Sequence, residues 1–466
     1  MFRTIAGKAW LSAKPHVFGV VGLVAMLNLA VAVLAFAKDL LQASYFGTSV
    51  EADALTLAYF LSDTIGNSLL ASALGVACVP AFSRIVAAGS PQRLRKLART
   101  TVIAFTSVAA LISVALLLFK TSIARWIAGS GSTQLSGLTE GLLAIVVPIV
   151  FLFPAIAIGA SLLQSRGSFA AAAAIPMLPH IVMLAVMSVC MGAGFDSATA
   201  VYAVAWSITI GVGAMGIFAW TAVARLNPVH ADSIRSGSLN EEGLRTIGKA
   251  FLPYLSILLA GQAVFFLERA WASGMETGTA AGLNYAFRLS QMPIWVIASA
   301  VYSVMLPSLS KDVALGRGEK IAVTMKTSIG TVLLVTLTAT SILYALSDPI
   351  VELLFQRGAF DDHSVRVTSD IVQGYSLAIP GMGVAAVCIR YFLAAGRMAI
   401  PLWISIVSSV VNAAADYGLK DHYGAAGLGY GAAIGASLGG VLFLYYSFQD
   451  IRASIRVKEV TGYGEH

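Results

Sequence analysis

The sequence is dominated by apolar stretches that recur from one end of the chain to the other. Each is close to the ~20 residues that a helix needs to cross a hydrocarbon core of ~30 Å. Only helices satisfy every backbone N–H and C=O group of such a segment within lipid. Charged residues make up 11% of the 466 residues, against about 25% in a soluble domain. The sequence therefore predicts an all-α, polytopic membrane protein.

The apolar pattern divides into twelve predicted spans. They cover residues 17–45, 54–82, 100–119, 140–163, 170–192, 199–222, 248–272, 278–307, 322–346, 367–395, 399–417 and 426–448. Lys and Arg number 20 in the loops on one side and 5 on the other. The positive-inside rule makes the richer side cytoplasmic and places both termini there. Because the basic residues lie in short loops between spans, the net charge of +7 does not indicate a nucleic-acid partner.

Two similar segments indicate an internal repeat. "CVPAFSRIVAAG" closes the second span and "VMLPSLSKDVALG" closes the eighth, with Pro80 and Pro307 separated by 227 residues. We therefore expect two six-helix lobes, residues 1–222 and 248–466, joined by a cytoplasmic linker over 223–247, with a short cytoplasmic tail after the last span. Parallel repeats with a binding site at their interface are typical of transporters. A duplicated scaffold without transport is the alternative.

Ionisable residues inside the spans are costly unless they face a cavity or a partner. We single out Lys38, Asp39, Asp63, Glu268, Arg269, Arg288, Lys326, Arg390 and, near the outer end of its span, Asp416. Ion pairs that lock helices together are the simpler interpretation, but for the deeper Lys38, Asp39 and Arg288 we favour a polar cavity. Among these deep residues, cations slightly outnumber anions, which suits a phosphate or pyrophosphate head group better than a cationic drug.

Motifs for chemistry at the membrane are absent from the sequence. It has no Walker P-loop, H-E-x-x-H, CxxC pair or GxSxG elbow, and we expect neither an enzyme nor a bound cofactor. A membrane glycosyltransferase would need catalytic carboxylates on large external loops, whereas the predicted external loops are short. Transport would then be driven by an ion gradient such as sodium, by the membrane potential or by consumption of the substrate.

Several segments resemble the MurJ/MviN-type lipid II flippases of the multidrug/oligosaccharidyl-lipid/polysaccharide exporter superfamily. They include "FAKDLLQASYFGTSVEADALTLAYF", "LNYAFRLSQMP", "VMLPSLSK", "LFQRGAF" and "IVSSVVN", and the resemblance runs from about residue 28 to 445. It implies two lobes around a central cavity that alternates between inward- and outward-facing states. The implied function is to flip a polyprenyl-pyrophosphate-linked saccharide, such as the peptidoglycan precursor lipid II, to the outer leaflet. An exopolysaccharide repeat unit is the alternative cargo, and a cation-coupled drug exporter the alternative function.

The resemblance also implies binding residues for the substrate. Lys38 and Asp39 match an Arg-Asp pair of the family, Asp53 matches an acidic residue at the start of the second span, and Arg288 matches an arginine of the eighth. With Arg269 these residues form the predicted substrate-binding set. We expect Lys38 and Arg288 to come from opposite lobes and to converge on the pyrophosphate.

The chain departs from the family pattern at several positions. Ala32, Gly66 and Asn67 stand where the family has arginines, and Gln291 stands where it has an acidic residue. The chain ends about 17 residues after its twelfth span, whereas the family usually has fourteen. The resemblance therefore indicates a divergent member without the last two spans.

Some members of this family bind sodium between the seventh, eleventh and twelfth spans. Glu268, Asn412 and Asp416 match those ligands. Asn412 and Asp416 are one helical turn apart, and oxygen ligands suit a hard cation. A cluster of hydrogen bonds that pairs helices is an equally good interpretation of these three residues.

The expected location and partners follow from the same resemblance. We expect a multi-pass protein of the bacterial cytoplasmic (inner) membrane that takes part in cell-wall synthesis. Its expected partners are an undecaprenyl-linked glycolipid substrate, the surrounding membrane lipids and, as candidates, enzymes of cell-envelope synthesis.

Overall fold

The computed structural model describes residues 14–129, 133–226 and 239–461, and within these ranges it contains helices and no strand. The prediction of an all-α membrane protein is confirmed. The first ten α-helices are α1 Lys14–Phe46, α2 Val50–Asp63, α3 Ser72–Ala87, α4 Pro91–Leu118, α5 Lys120–Ile127, α6 Thr133–Val146, α7 Ile149–Ser165, α8 Phe169–Ala174, α9 Met177–Gly192 and α10 Ser197–Ala224. A π-helical segment, Thr64–Ala71, joins α2 to α3.

Eight further helices follow in the second half of the sequence. They are α11 Leu239–Ser273, α12 Thr279–Ala314, α13 Gly318–Ala345, α14 Ser347–Phe355, α15 Asp362–Ser376, α16 Ile379–Ala394, α17 Ala399–Tyr423 and α18 Ala425–Thr461. Of the predicted linker 223–247, residues 227–238 lie outside the described part of the chain. Residues from Leu239 onward belong to α11.

Ten helical segments of the described chain are long and apolar enough to cross a membrane. The bent pair α15 and α16 makes an eleventh if it is counted as one span, and its 47° bend lies next to Pro380. Proline cannot donate the backbone hydrogen bond that would continue the first helix. The remaining predicted span, 278–307, coincides with α12, where the side chains of residues 295–304, 306–308, 310, 311 and 314 are outside the described set.

The chain forms two compact units. Unit 1 comprises Met1–Tyr45, Leu57–Trp126 and Thr133–Leu258, and unit 2 comprises Phe46–Thr56, Ile127–Ser132 and Leu259–His466. The units differ from simple halves of the sequence, because two short segments of the first half belong to unit 2.

Each unit has its own apolar core. In unit 1, Phe82 of α3, Leu97 of α4 and Ile158 of α7 are at most 2% exposed and pack in one cluster. In unit 2, Met325 of α13 and Val387 of α16 are fully buried in a second cluster. With no hydrophobic force between helices in lipid, this close packing is what holds such bundles together.

Glycines in the left-handed region repeat along the chain. Those of the described residues form five pairs with separations of 227–231 residues: Gly47 and Gly278, Gly89 and Gly316, Gly129 and Gly358, Gly167 and Gly396, and Gly194 and Gly424. A positive φ strains any residue with a Cβ atom, so these positions mark turns that both halves need. The turns thus repeat at nearly the same 227-residue separation as the two proline motifs.

Candidate substrate and ion sites

The two charges of the first span lie together. Lys38 and Asp39 on α1 form an ion pair in unit 1, and their side chains are 5% and 1% exposed. The pair is formally neutral, which removes much of the cost of placing either charge in a membrane. Gln42, one turn further along the same helix, is also buried. The first predicted substrate site is therefore a buried polar patch in which the Lys38 ammonium group is ion-paired with Asp39.

Asp53 caps a helix that lies 225 residues further along the chain. Its carboxylate accepts hydrogen bonds from the Gly278 N–H at 2.6 Å and from the Ala281 N–H at 2.7 Å, both at the start of α12. A carboxylate at a helix N-terminus satisfies otherwise unpaired N–H groups and stabilises the helix dipole. Asp53 is 2% exposed, and its predicted contact with substrate stays a prediction.

The loop between α1 and α2 packs against two other turns of unit 2. The Thr48 and Ser364 hydroxyls are 2.9 Å apart. A Cβ atom on Gly47 would lie 2.3 Å from the Ala359 carbonyl oxygen, and one on Gly278 would lie 2.3 Å from Thr48. Glycine is therefore required on both sides of this contact, because its left-handed backbone and close approach exclude a side chain.

The motif "LFQRGAF" forms an aromatic cluster beside this loop. Phe360 stacks on Phe355 with ring centroids 5.6 Å apart and meets the edge of Tyr285 at 5.8 Å. The Tyr285 hydroxyl donates to the Gly47 carbonyl, which joins the cluster to the loop. Asp361 then caps α15, and hydrogen bonds from Ser364 hold the pKa of the Asp361 carboxyl below its usual range. The motif's aromatic residues thus have a clear packing role.

The two predicted arginines of unit 2 differ in burial. Arg269 on α11 is 5% exposed, donates from Nη1 to the Phe265 carbonyl at 3.3 Å and lies 5.8 Å from the Phe265 ring centroid. Arg288 on α12 is half-buried. Arg288 is therefore the more accessible of the two to a molecule from outside the helices.

The predicted ion-binding residues meet in unit 2. Glu268 on α11 is fully buried and accepts hydrogen bonds from the Tyr375 hydroxyl at 2.6 Å and from Asn412 Nδ2 at 3.2 Å. The second of these contacts turns the Asn412 Nδ2 group toward Glu268. A cavity of about 210 Å³ lies beside Glu268, Tyr375 and Asn412.

One face of α17 carries buried oxygens that have no hydrogen-bond partner. They are Ser408 Oγ, Asn412 Oδ1 and both carboxylate oxygens of Asp416. The three residues follow one another at four-residue intervals and therefore share a face. Buried polar atoms are normally paired, so this row of oxygens fits a hard cation. Among the described residues, no group of three or more His, Cys, Asp or Glu side chains could hold a metal.

A stripe of glycines on α18 faces this row. Cβ atoms on Gly431, Gly435 and Gly439 would lie 2.0, 2.6 and 2.5 Å from Asp416, Asn412 and Ser408, respectively. Small residues at four-residue spacing let membrane helices approach closely. The stripe thus brings the α18 backbone against the polar face of α17.

Sequence reasoning missed two members of this cluster. Tyr375 is 107 residues from Glu268, and no local pattern indicates that contact. Ser408 was detectable, because it lies one turn before Asn412 in the segment "IVSSVVN", and the four-residue glycine repeat of α18 was detectable as well.

Comparison with known proteins gives one family over most of the chain. The family model for the lipid II flippase MurJ matches residues 42–458. A probable lipid II flippase MurJ from Rhizobium tropici is 26% identical over 388 residues, covering 82% of this chain and 72% of the relative. A lipid II flippase MurJ from Burkholderia cenocepacia is 21% identical, covering 88% of this chain and 80% of the relative.

Solved structures share the fold. A lipid II flippase MurJ in an inward closed conformation aligns with a TM-score of 0.76 at 20% identity, over 95% of this chain and 93% of that chain. An inward-facing multidrug resistance transporter of the MATE family and MOP superfamily aligns with a TM-score of 0.78 at 16% identity, over 93% of this chain and 99% of that chain. At such identities the two structures establish the architecture alone.

Proposed function

The chain belongs to the lipid II flippase MurJ family, and we propose that it moves lipid II from the cytoplasmic to the outer leaflet of a bacterial inner membrane. The observation that carries this proposal is the family match, which extends from the end of α1 into α18. The function is transport across the bilayer rather than catalysis, and the substrate is a lipid-linked saccharide precursor of peptidoglycan.

The cations within the predicted spans supply the chemistry that such a substrate needs. A pyrophosphate head group carries negative charge into the membrane, and Lys and Arg bind phosphate oxygens through charge-assisted hydrogen bonds. We assign this role to Lys38, Arg269 and Arg288. In the free protein Lys38 is held by Asp39, so an arriving pyrophosphate would compete with the Asp39 carboxylate for the ammonium group.

The transport cycle is driven by a gradient or potential across the membrane. A flippase of this kind alternates between states open to each side of the membrane, and any net charge that it moves couples to the membrane potential at about 2.3 kcal/mol per charge per 100 mV. The excess of basic loop residues on one side supports a cytoplasmic location for both termini. Partner enzymes of cell-envelope synthesis stay candidates on this proposal.

One observation favours a second cargo, an exopolysaccharide repeat unit on the same polyprenyl carrier. Gly66 and Asn67, in the π-helical segment, stand where the family resemblance predicts arginines. A Cβ atom on Gly66 would lie 2.4 Å from a ring carbon of Phe153, so the local packing excludes a larger side chain. Two fewer cations would suit a head group of lower charge.

Complementation in living cells tests the choice between these cargoes. In a bacterium depleted of its own lipid II flippase, we expect this chain to restore growth, because peptidoglycan synthesis would again receive precursor. The matched control is a strain depleted of an exopolysaccharide flippase, where we expect no rescue. Rescue of the second strain alone would contradict lipid II as the cargo and support the second candidate.

We further propose that Asp416, Asn412 and Ser408 bind sodium. Their unpartnered buried oxygens support this proposal, because an Asp416 carboxylate that is fully buried is costly without a neutralising partner. The Tyr375 and Asn412 hydrogen bonds hold Glu268 beside the row and would orient it toward the ion.

Sodium is then expected to stabilise the purified protein. At a hundredfold excess over Kd, a ligand stabilises by about 2.7 kcal/mol, measured as a rise in Tm in sodium relative to choline. Asp416→Asn should abolish that rise, and it should raise stability without sodium, because a buried charge is removed.

Asp421→Asn is the matched control, since Asp421 lies on the same helix but is exposed and paired with Lys420. It should leave the sodium effect intact. A helix-pairing cluster without an ion predicts a wild-type protein that is indifferent to sodium, and that result would remove the proposal.

A further inference from the structure

A second cavity lies within unit 1, and none of its lining residues belongs to the substrate or ion sites described above. It has a volume of about 570 Å³ and is formed by the start of α4, the end of α7 and the end of α10. This is within the size range of small-molecule sites in proteins. Its three helix ends all lie on the side of the membrane that is predicted to be cytoplasmic.

The polar groups of this cavity are three arginines. Arg95 and Arg99 lie one turn apart on α4, and Arg166 directly follows the last residue of α7. Among the described residues that line the cavity, none is acidic. The site therefore concentrates positive charge without an anion of its own.

Arg166 shows the effect of this unbalanced charge. Its Nε atom is buried and has no hydrogen-bond partner. Burial and, secondarily, the nearby charge of Arg95 lower the pKa of the Arg166 guanidinium. An anion in the cavity would satisfy the Nε–H group and relieve the repulsion between the two arginines.

The remaining wall of the cavity is apolar. Val102 and Ile103 continue α4 toward the membrane interior, and Leu162 and Trp220 complete the opposite side. Ile103 is 55% exposed, so this wall is open toward the predicted hydrocarbon region. The cavity thus offers cations at the membrane surface and apolar side chains below them. This arrangement matches a phospholipid, whose anionic phosphate lies above its apolar acyl chains.

We propose that this cavity binds the head group of an anionic phospholipid of the surrounding bilayer, with the phosphate between Arg95, Arg99 and Arg166 and the upper acyl chain on the Val102 wall. Basic pockets between membrane helices on the cytoplasmic side are suited to such head groups. Arginine forks match phosphate oxygens in pairs. The inference is independent of the cargo, because it concerns lipid that stays with unit 1 during transport.

The test is lipid binding by the full-length purified protein, with phosphatidylglycerol as the probe. We expect phosphatidylglycerol to bind more tightly than phosphatidylcholine, measured by native mass spectrometry during lipid titration. Each basic residue near an anionic surface contributes about 1 kcal/mol to binding. Arg95→Gln combined with Arg166→Gln should therefore weaken phosphatidylglycerol binding roughly thirtyfold.

Arg84→Gln combined with Arg245→Gln is the matched control. Both residues are exposed, belong to unit 1 and lie on the same predicted side, so the net charge changes equally. We expect the control to keep nearly all of its affinity. Equal losses in the two double variants would show general attraction to a basic surface and would overturn the proposed site.

Two further measurements separate a phospholipid site from other anion binding. Val102→Trp fills the apolar wall without changing charge and should weaken phosphatidylglycerol binding, whereas unaltered affinity would contradict the acyl-chain contact. Inorganic phosphate should fail to displace the lipid at equal concentration. Displacement by phosphate would show a site for a free anion and overturn the assignment to phospholipid.

Discussion

Arg288→Ala is expected to abolish lipid II flipping while the protein stays folded. A hydrogen bond to a charged group contributes about 1.5–3 kcal/mol, and loss of two such bonds to pyrophosphate would reduce the rate by at least about a hundredfold. Because Arg288 is only half-buried, its removal should cost little stability. The measurement is translocation in reconstituted vesicles, with Tm recorded on the same preparation.

Two variants make this expectation specific. Arg288→Lys keeps the charge but loses the two-pronged geometry of the guanidinium, so we expect partial activity. Arg390→Ala is the matched control, because Arg390 donates to the Ala386 carbonyl at 2.7 Å within its own helix. We expect the Arg390→Ala protein to flip lipid II at nearly the wild-type rate. If Arg288 only locks helices together, Arg288→Ala should lower stability, with activity falling in proportion.

Lys38→Met is expected to have the largest effect on stability. It leaves the Asp39 carboxylate, which is 1% exposed, without its ion-pair partner. Breaking a buried pair from one side costs about 3–5 kcal/mol, enough to lower the Tm of the purified protein by many degrees. If this single variant lost flipping, the loss could come either from unfolding or from weaker substrate binding.

The double variant Lys38→Met with Asp39→Asn separates the two roles. With both charges removed, no buried charge is left unpaired, and most of the stability should return. Flipping should not return, because the cation for the pyrophosphate is missing. A stable double variant with wild-type flipping would show that the Lys38–Asp39 pair is structural and would remove Lys38 from the substrate site.

The fold was predictable because its signal is long and repetitive. The predicted span 170–192, for example, corresponds to a span observed over Phe169–Gly192, since an apolar run of that length has few alternative structures. The π-helical segment Thr64–Ala71 was not predicted, because it differs from an α-helix by one residue in its hydrogen-bond spacing and leaves no change in hydropathy.

The candidate sites were predictable only in part. Glu268, Asn412 and Asp416 stand out in the sequence as polar residues within apolar spans, and the structure places them in one unit. Asp53 caps the N-terminus of α12 through a hydrogen bond to a residue 225 positions away in the sequence. No local sequence pattern indicates such a contact. The phospholipid cavity is likewise formed by three helix ends that are far apart in the sequence.

Translocation of lipid II in vesicles that contain only this protein measures the proposed function most directly. Labelled lipid II would be placed in the leaflet reached from the cytoplasmic side, and its arrival in the opposite leaflet followed over time. We expect transfer well above that of protein-free vesicles, and a rate near background for Arg288→Ala. Background transfer of lipid II by a folded wild-type protein, in the presence of sodium and a membrane potential, would contradict the proposed function.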